Sequence, residues 1–217
     1  MSLALVFLGP PGAGKGTQAK TCAERHRLFH VSTGDLFRQN LREETPVGLV
    51  ARGFMDRGHL VPDEVVCAMV RGCLEAEETT EGFILDGFPR TISQAEVLEE
   101  DLEQLERPLT SVVSFEIDDG MLMERLTGRL TCKGCSAPFH KTFNPPQEAG
   151  VCDDCGADLY TRDDDTEPAV AARLDEYHDK TAPLLGYYET RGLLRSVDAA
   201  QPVDGVSGAL ERALEDR

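Results

Sequence analysis

Residues 9–17 read GPPGAGKGT and follow directly on the apolar run LALVFL at 3–8. That order restricts the fold more than anything else in the chain. An uninterrupted apolar run ending in Gly-Pro suits a strand buried on both faces. A helical pattern takes over from about Gly14 to Arg27. Glycines between a strand and a helix let the backbone fold back until several N–H groups point into one concavity. The helix N-terminus adds its dipole there, and Lys15 adds a full charge. Such a loop is built for the β- and γ-phosphates of a nucleotide. The spacing follows GxxxxGK[ST] as far as Lys15, after which Gly16 intervenes before Thr17.

The rest of the chain alternates as such a loop requires. Residues 82–86 (GFILD), 110–117 (TSVVSFEI) and 193–197 are further strand candidates. Helical patterns run over 34–44, 47–57, about 63–78, 94–105, 119–127 and 203–215. Another begins at about 168, restarts near Ala182-Pro183 and ends near Gly192. This alternation predicts a parallel α/β sheet with helices on both faces. Two segments depart from it, 32–61 and 129–165; the second is rich in Cys, Gly, Pro and Asp and has no helical period. Both read as insertions, which leaves 1–31, 62–128 and 166–217 as the core. A length of 217 residues fits one domain carrying such insertions.

Charge narrows the partners. The formal net charge is −17, from 39 acids against 22 bases. A surface so acidic argues against a nucleic acid polymer or an anionic membrane as partner. No apolar run nears the roughly 18 residues of a spanning helix. The N-terminus lacks a basic region and a small-residue cleavage site, so a cytoplasmic location is expected. A small polyanion remains open as a substrate, provided that a few well-placed cations meet it.

The seven cysteines are an odd number, and four of them fall in Cys132-x-x-Cys135 and Cys152-x-x-Cys155, 16 residues apart. Without a secretory signal this reads as metal before disulfide. Each CxxC turn presents two thiolates, and two turns complete a tetrahedral Zn²⁺ site; a pair of surface redox cysteines is the competing reading. Four thiolates leave no open position, so the zinc would be structural and would staple a segment too short to build a core. Cys22, Cys67 and Cys73 fall at helix-compatible positions and are expected in the core.

Three other stretches admit two readings each. Ser32 and Thr33 in STGDLFR are natural helix N-caps, while Arg38, one turn on, is in reach of an anion held at that helix start. Asp86 ends an apolar strand, where it suits either an Mg²⁺-orienting carboxylate or a turn. Arg125 and Arg129 in RLTGR, Arg162 in YTRDDD and Arg173 in AVAARLDEYH either pair with nearby acids or bind phosphate.

GPPGAGKGT with Gln18, the segment STGDLFR, DGFPRT at 86–91 and the four-cysteine segment together resemble adenylate kinases of the long, metal-bearing-lid type, over nearly the whole chain. The resemblance implies a P-loop NTPase-type core, an NMP-binding lobe over 32–61 and a zinc-bearing lid over 129–165. It implies reversible phosphoryl transfer from MgATP to AMP, giving two ADP. GTP-using AMP kinases and UMP/CMP-type kinases are the related alternatives. It places ATP on Gly12, Ala13, Gly14, Lys15, Gly16 and Thr17, with Arg125 against the adenine and Arg129 on phosphate. Pro138 and Phe139, beside His140 in the lid hairpin, and Gln201 in SVDAAQP (196–202) complete that set. AMP falls to Thr33 and Arg38, to the backbone of His59, Leu60 and Val61, and to Gly87, Phe88, Pro89, Arg90 and Gln94. Arg90 meets its phosphate there and Gln94 its adenine, with Arg162 and Arg173 close by. Lys15, Asp86, Arg90, Arg129, Arg162 and Arg173 form the implied catalytic group. Asp164 and Asp165 match an acidic pair at the lid hinge. Mg²⁺ with ATP, a structural Zn²⁺ and a monomeric state are also implied. The chain departs from the family at Ala199, usually Gly, and at Gln201, often Lys.

Overall fold

Leu3–Leu8 forms β1, and all six residues are buried, as a strand covered on both faces must be. In the computed structural model, which describes residues 3–215, the chain continues as α1 (Lys15–His26), β2 (Phe29–Ser32), α2 (Thr33–Arg42), α3 (Pro46–Met55), α4 (Asp63–Leu74), β3 (Gly82–Asp86) and α5 (Ile92–Gln104). It then passes through β4 (Ser111–Glu116), α6 (Asp119–Thr127), β5 (Arg129–Cys132), β6 (Pro138–His140) and β7 (Leu159–Tyr160). The last elements are α7 (Glu167–Glu176), α8 (Pro183–Glu189), β8 (Leu194–Asp198) and α9 (Val203–Glu215). Five strands make one sheet in the order β2-β3-β1-β4-β8, and every neighbouring pair is parallel.

The alternation of side chains along β1 divides the core. Ala4, Val6 and Leu8 face Phe83, Leu85 and Val112 together with α4, α5 and α8, through Val70, Leu98 and Leu184. Leu3, Leu5 and Phe7 face Ile84, Val113 and Phe115 together with α1 and α9, through Ala19, Cys22 and Leu210. Each fully buried Leu or Phe contributes roughly 1.5–3 kcal/mol, so the two faces anchor the sheet. Cys22 and Cys67 are buried and Cys73 half-buried, as expected of core positions.

Two features differ from the expectation. β2 is an additional sheet strand at the edge, and its four residues carry only one buried position, Val31. Segment 129–165 is not irregular, because β5 pairs with β6 and β7 in a three-stranded antiparallel sheet. These strands are two to four residues long, too short to show a period of two. The helical restart at Ala182-Pro183 is present, as a π-turn over Tyr177–Thr181 that leads into α8.

Register places the site. Phe7 pairs with Asp86, so the carboxyl end of β3 lies beside the exit of β1. Connections leave β1 and β3 toward opposite edges, and in open α/β sheets ligands bind at such a reversal. Gly9 makes the turn. Its φ is 143°, and a Cβ there would stand 2.7 Å from the carbonyl oxygen of Phe115. Gly9→Ala should therefore cost about 3 kcal/mol, from backbone strain plus overpacking. A urea midpoint within error of the wild type would show that the turn relaxes freely.

Candidate active site

Gly14 caps α1 in the left-handed region (φ 89°) without a side-chain acceptor, so no side chain satisfies the first-turn amides that face the loop. Lys15 Nζ donates to the carbonyls of Gly9 (2.7 Å) and Pro10 (2.8 Å), which holds the ammonium over the concavity. Burial lowers its pKa to about 8; Asp86 opposes this, while Arg90, Arg173 and Arg129 add to it. The extra glycine in the motif has a steric reason. A Cβ at Gly16 would stand 3.2 Å from Asp86 Oδ2, so the carboxylate of β3 lies directly against this backbone. Burial alone would raise the Asp86 pKa, but His30 and Lys15 hold it below the ordinary carboxylate value. The closest His30 atom, Nε2, is 3.5 Å from Oδ2. Asp86 thus faces the loop as an ionised group and does not merely make a turn.

On the other side of Asp86 lies an open cleft that brings polar and charged groups together with apolar walls. Thr33, Arg38, His59, Leu60, Val61, Gly87, Arg90, Gln94 and Arg173 all line it. Ser32 takes the capping role by accepting from the Asp35 amide (3.3 Å), whereas the Thr33 hydroxyl donates to Gly87 O (3.0 Å). Gln94 is 1% exposed. Its Oε1 accepts from the Arg90 amide and its Nε2 donates to Asp63, both at 2.7 Å. These partners fix which end of the amide is which, and the second Nε2 hydrogen remains for a ring-nitrogen acceptor. Gly34, Phe37, Met55, Gly58, Val66 and Asp164 complete the lining. The sequence gives no sign of the apolar walls Phe37, Met55 and Val66, since such residues at helix positions look like core.

The pairing with acids expected of these arginines holds for Arg129 and Arg173. Arg129 pairs with Asp165 through Nε (2.8 Å) and Nη2. Arg173 meets Asp164 Oδ2 (3.0 Å) and Asp165 Oδ1 (3.2 Å), and Arg38 pairs with Asp35. Neutral acceptors hold the other two: Arg90 Nε donates to Gly87 O (2.8 Å) and Arg162 Nε to Thr131 Oγ1 (2.9 Å). These cations still crowd one another. Burial, with Arg173 and Arg38 nearby, lowers Arg90 to about 10; burial, with Arg129 and Arg38, lowers Arg162 to about 9. So many mutually repelling half-buried cations in an acidic protein make a local positive field that an anion would relieve. The two inserted segments also touch, because Arg42 Nη1 donates to the carbonyl of Lys133 (3.2 Å).

Other expected contacts separate into near and remote. Arg125 Nη1 donates to Ala199 O (3.1 Å), which joins α6 to the loop of 196–202. Gln201 is exposed and turns to Asp198 (3.2 Å). Three aromatic and proline positions differ from the expectation. Phe88 and Pro89 are buried outside the cleft lining, Phe88 in the core beneath it. Phe139 packs in a small lid core with Cys132, Ala137 and Cys152. Their side chains serve packing, which leaves the backbone for any nucleotide contact. Pro138 beside it is half-buried.

The four lid cysteines converge. Sγ of Cys132 and Cys155 are 3.4 Å apart and those of Cys135 and Cys152 3.6 Å, with all four within 4.8 Å of one another. A tetrahedron with Zn–S bonds of about 2.3 Å has edges of about 3.8 Å, so the set fits zinc. Burial would push the Cys132 thiol up, but the Cys135 and Gly134 amides that donate to its Sγ bring it down to about 6. Cys132 alone is thereby favoured as a thiolate, whereas burial pushes the Cys135 and Cys152 thiols up, so a metal would have to displace their protons.

Comparison with known proteins agrees with this geometry. The family model for adenylate kinase matches residues 7–193. An adenylate kinase of Geobacillus sp. (strain WCH70) is 49% identical over 210 residues, 97% of each chain. One of Carboxydothermus hydrogenoformans is 47% identical over 211 residues, covering 97% of this chain and 99% of its own. One of Geobacter sulfurreducens is 47% identical over 211 residues, 97% of each. A family match over residues 7–193, together with relatives nearly half identical over 97% of its length, shows that the chain belongs to the adenylate kinase family.

Proposed function

We propose that this protein catalyses reversible phosphoryl transfer from MgATP to AMP, forming two ADP. The carrying observation is the convergence of Lys15, Arg38, Arg90, Arg129, Arg162 and Arg173 where the glycine loop meets the cleft. Lys15 and the loop amides of 12–17 hold the donor phosphates, and Arg125 with the backbone at Ala199 borders the donor base. Arg38 and Arg90 hold the acceptor phosphate, while Gln94 and the backbone at 59–61 hold its base. Arg129, Arg162 and Arg173 surround the transferring group. The acceptor is itself a phosphate, largely ionised at neutral pH, so no general base is required. Catalysis is alignment together with neutralisation of charge on the equatorial oxygens. Asp86 and the Thr17 hydroxyl would hold Mg²⁺, which when bound neutralises charge on the β- and γ-phosphates. Closure of segments 32–61 and 129–165, which already touch through Arg42 and Lys133, would keep out water, the competing acceptor.

The lid thiolates would hold a structural Zn²⁺. Among the described residues no helix is long and apolar enough to cross a membrane, and the net charge of −17 keeps the surface hydrated. A cytoplasmic monomer is the form proposed.

Coupled detection of ADP from ATP plus AMP with Mg²⁺ tests the reading. ATP and GTP serve as donors, and AMP, UMP and GMP as acceptors. Turnover should be highest for ATP with AMP. Slow hydrolysis of ATP, unaffected by added AMP, would defeat the proposal. Arg90→Ala should raise KM for AMP and cut kcat about 100-fold, the usual scale for one lost transition-state donor. A kcat/KM near that of the wild type would remove Arg90 from this role.

A further inference from the structure

A second convergence of ligand atoms lies away from the nucleotide site, between α1 and α9. Cys22 and His26 stand four residues apart on α1, so they share one face of that helix. Glu211 comes from α9. The sulfur, an imidazole nitrogen and a carboxylate oxygen of these residues all lie within 4.8 Å of one another. None of the three has a part in the chemistry above.

We propose that Cys22, His26 and Glu211 form a binding site for a divalent transition metal of borderline softness, Zn²⁺ being the natural occupant. Thiolate, imidazole and carboxylate together match Zn²⁺ or Co²⁺ better than Mg²⁺ or Ca²⁺, which take oxygen ligands. The supporting contacts are already arranged. His26 Nε2 lies 2.8 Å from Glu211 Oε2, while Arg25 Nη1 holds Oε1 at 2.9 Å. Arg25 thereby orients the carboxylate so that one oxygen faces His26, as an outer partner of a metal ligand does. Cys22 is 1% exposed and closes the site from the core side, and His26 and Glu211 are half-buried at its mouth. Three protein ligands leave a fourth position for water. Metal entry would displace the Cys22 thiol proton to solvent as the metal–sulfur bond forms. The ion would clamp α9 to α1, the helix that opens with Lys15.

The test titrates Co²⁺ into the full chain after the lid has been loaded with one equivalent of Zn²⁺ and excess metal removed. A second equivalent should bind, with a thiolate-to-cobalt charge-transfer band in the near ultraviolet. Cys22→Ser should abolish that band. His26→Gln, at the exposed side, should weaken binding at least about 100-fold, since losing even an outer partner of a metal ligand costs about 10–100-fold. Both variants should retain phosphoryl-transfer activity, which reports an intact fold and an intact nucleotide site. Absence of a second equivalent would overturn the proposal, leaving the cluster as a structural ion pair. So would a Co²⁺ band that survives Cys22→Ser.

Discussion

Replacing Lys15 with Met should lower kcat/KM for MgATP about 1000-fold, or about 4 kcal/mol, while leaving the protein as stable as before or slightly more so. Both halves follow from one environment. Lys15 is held over the loop by the carbonyls of Gly9 and Pro10. It sits among Arg90, Arg173 and Arg129 and is buried. Its charge is unfavourable until phosphate arrives, so removing it relieves the fold and disables the chemistry. Lys15→Arg should not restore the rate, because a planar guanidinium cannot replace a compact ammonium between those two carbonyls. The pH dependence carries the same signature. The folded-state pKa of about 8 lies below the ordinary 10.5. Between those values the unfolded chain keeps a proton that the folded chain has released, so this residue makes stability rise with pH across that window. Below about pH 8 the penalty is fully present. Activity moves the opposite way: kcat/KM for MgATP should fall above about pH 8, whereas kcat, read with nucleotide bound, should fall only at higher pH. Stability curves and pH–rate profiles of wild type and Lys15→Met check this. A variant that loses the rate but keeps the wild-type stability slope from pH 8 upward would assign the slope elsewhere.

Legibility in the sequence followed the strength of each local signal. The run 3–8, the glycines of 9–16 and the spacing of the CxxC pairs are strong local signals, and strand, loop and a four-cysteine cluster stand where they put them. β2 was hidden because FHVS carries a half-buried His and an exposed Phe, and only its pairing with β3 makes it a strand. The lid sheet was hidden because its strands, two to four residues long, are too short to carry a period of two. At the cleft, charged and cap residues were visible, but Phe37, Met55 and Val66 were not. An apolar wall of a pocket and an apolar core position carry the same side chains, and only the fold separates them. The arginines show the converse. Their pairing with acids and their convergence on phosphate are alternatives in a sequence, yet Arg129 and Arg173 share Asp165 and still border the site.

That shared carboxylate ties the lid to the core, and it gives zinc removal the second large effect. Arg129 opens β5, and Arg162 is anchored to Thr131 on the same strand. Two cationic side chains of the site are thus carried on a sheet whose own core is Cys132, Ala137, Phe139 and Cys152. So few buried residues cannot hold three short strands in register, and a metal held by the four converging cysteines would do so. Cys135→Ser, with metal analysis verifying that zinc has been lost, removes an exposed ligand without opening the lid core. If about 3 kcal/mol of stability goes with the metal, Tm falls by roughly 6–12 °C for a chain of this size. The same change should cut kcat about 100-fold, because Arg129 and Arg162 lose their fixed positions. Binding of AMP alone should weaken far less, since among the residues lining that cleft only Asp164 belongs to segment 129–165. An unchanged melt after confirmed metal loss would show that the lid sheet holds itself together. An AMP affinity that collapses along with kcat would show that the metal acts on the whole fold rather than on the lid.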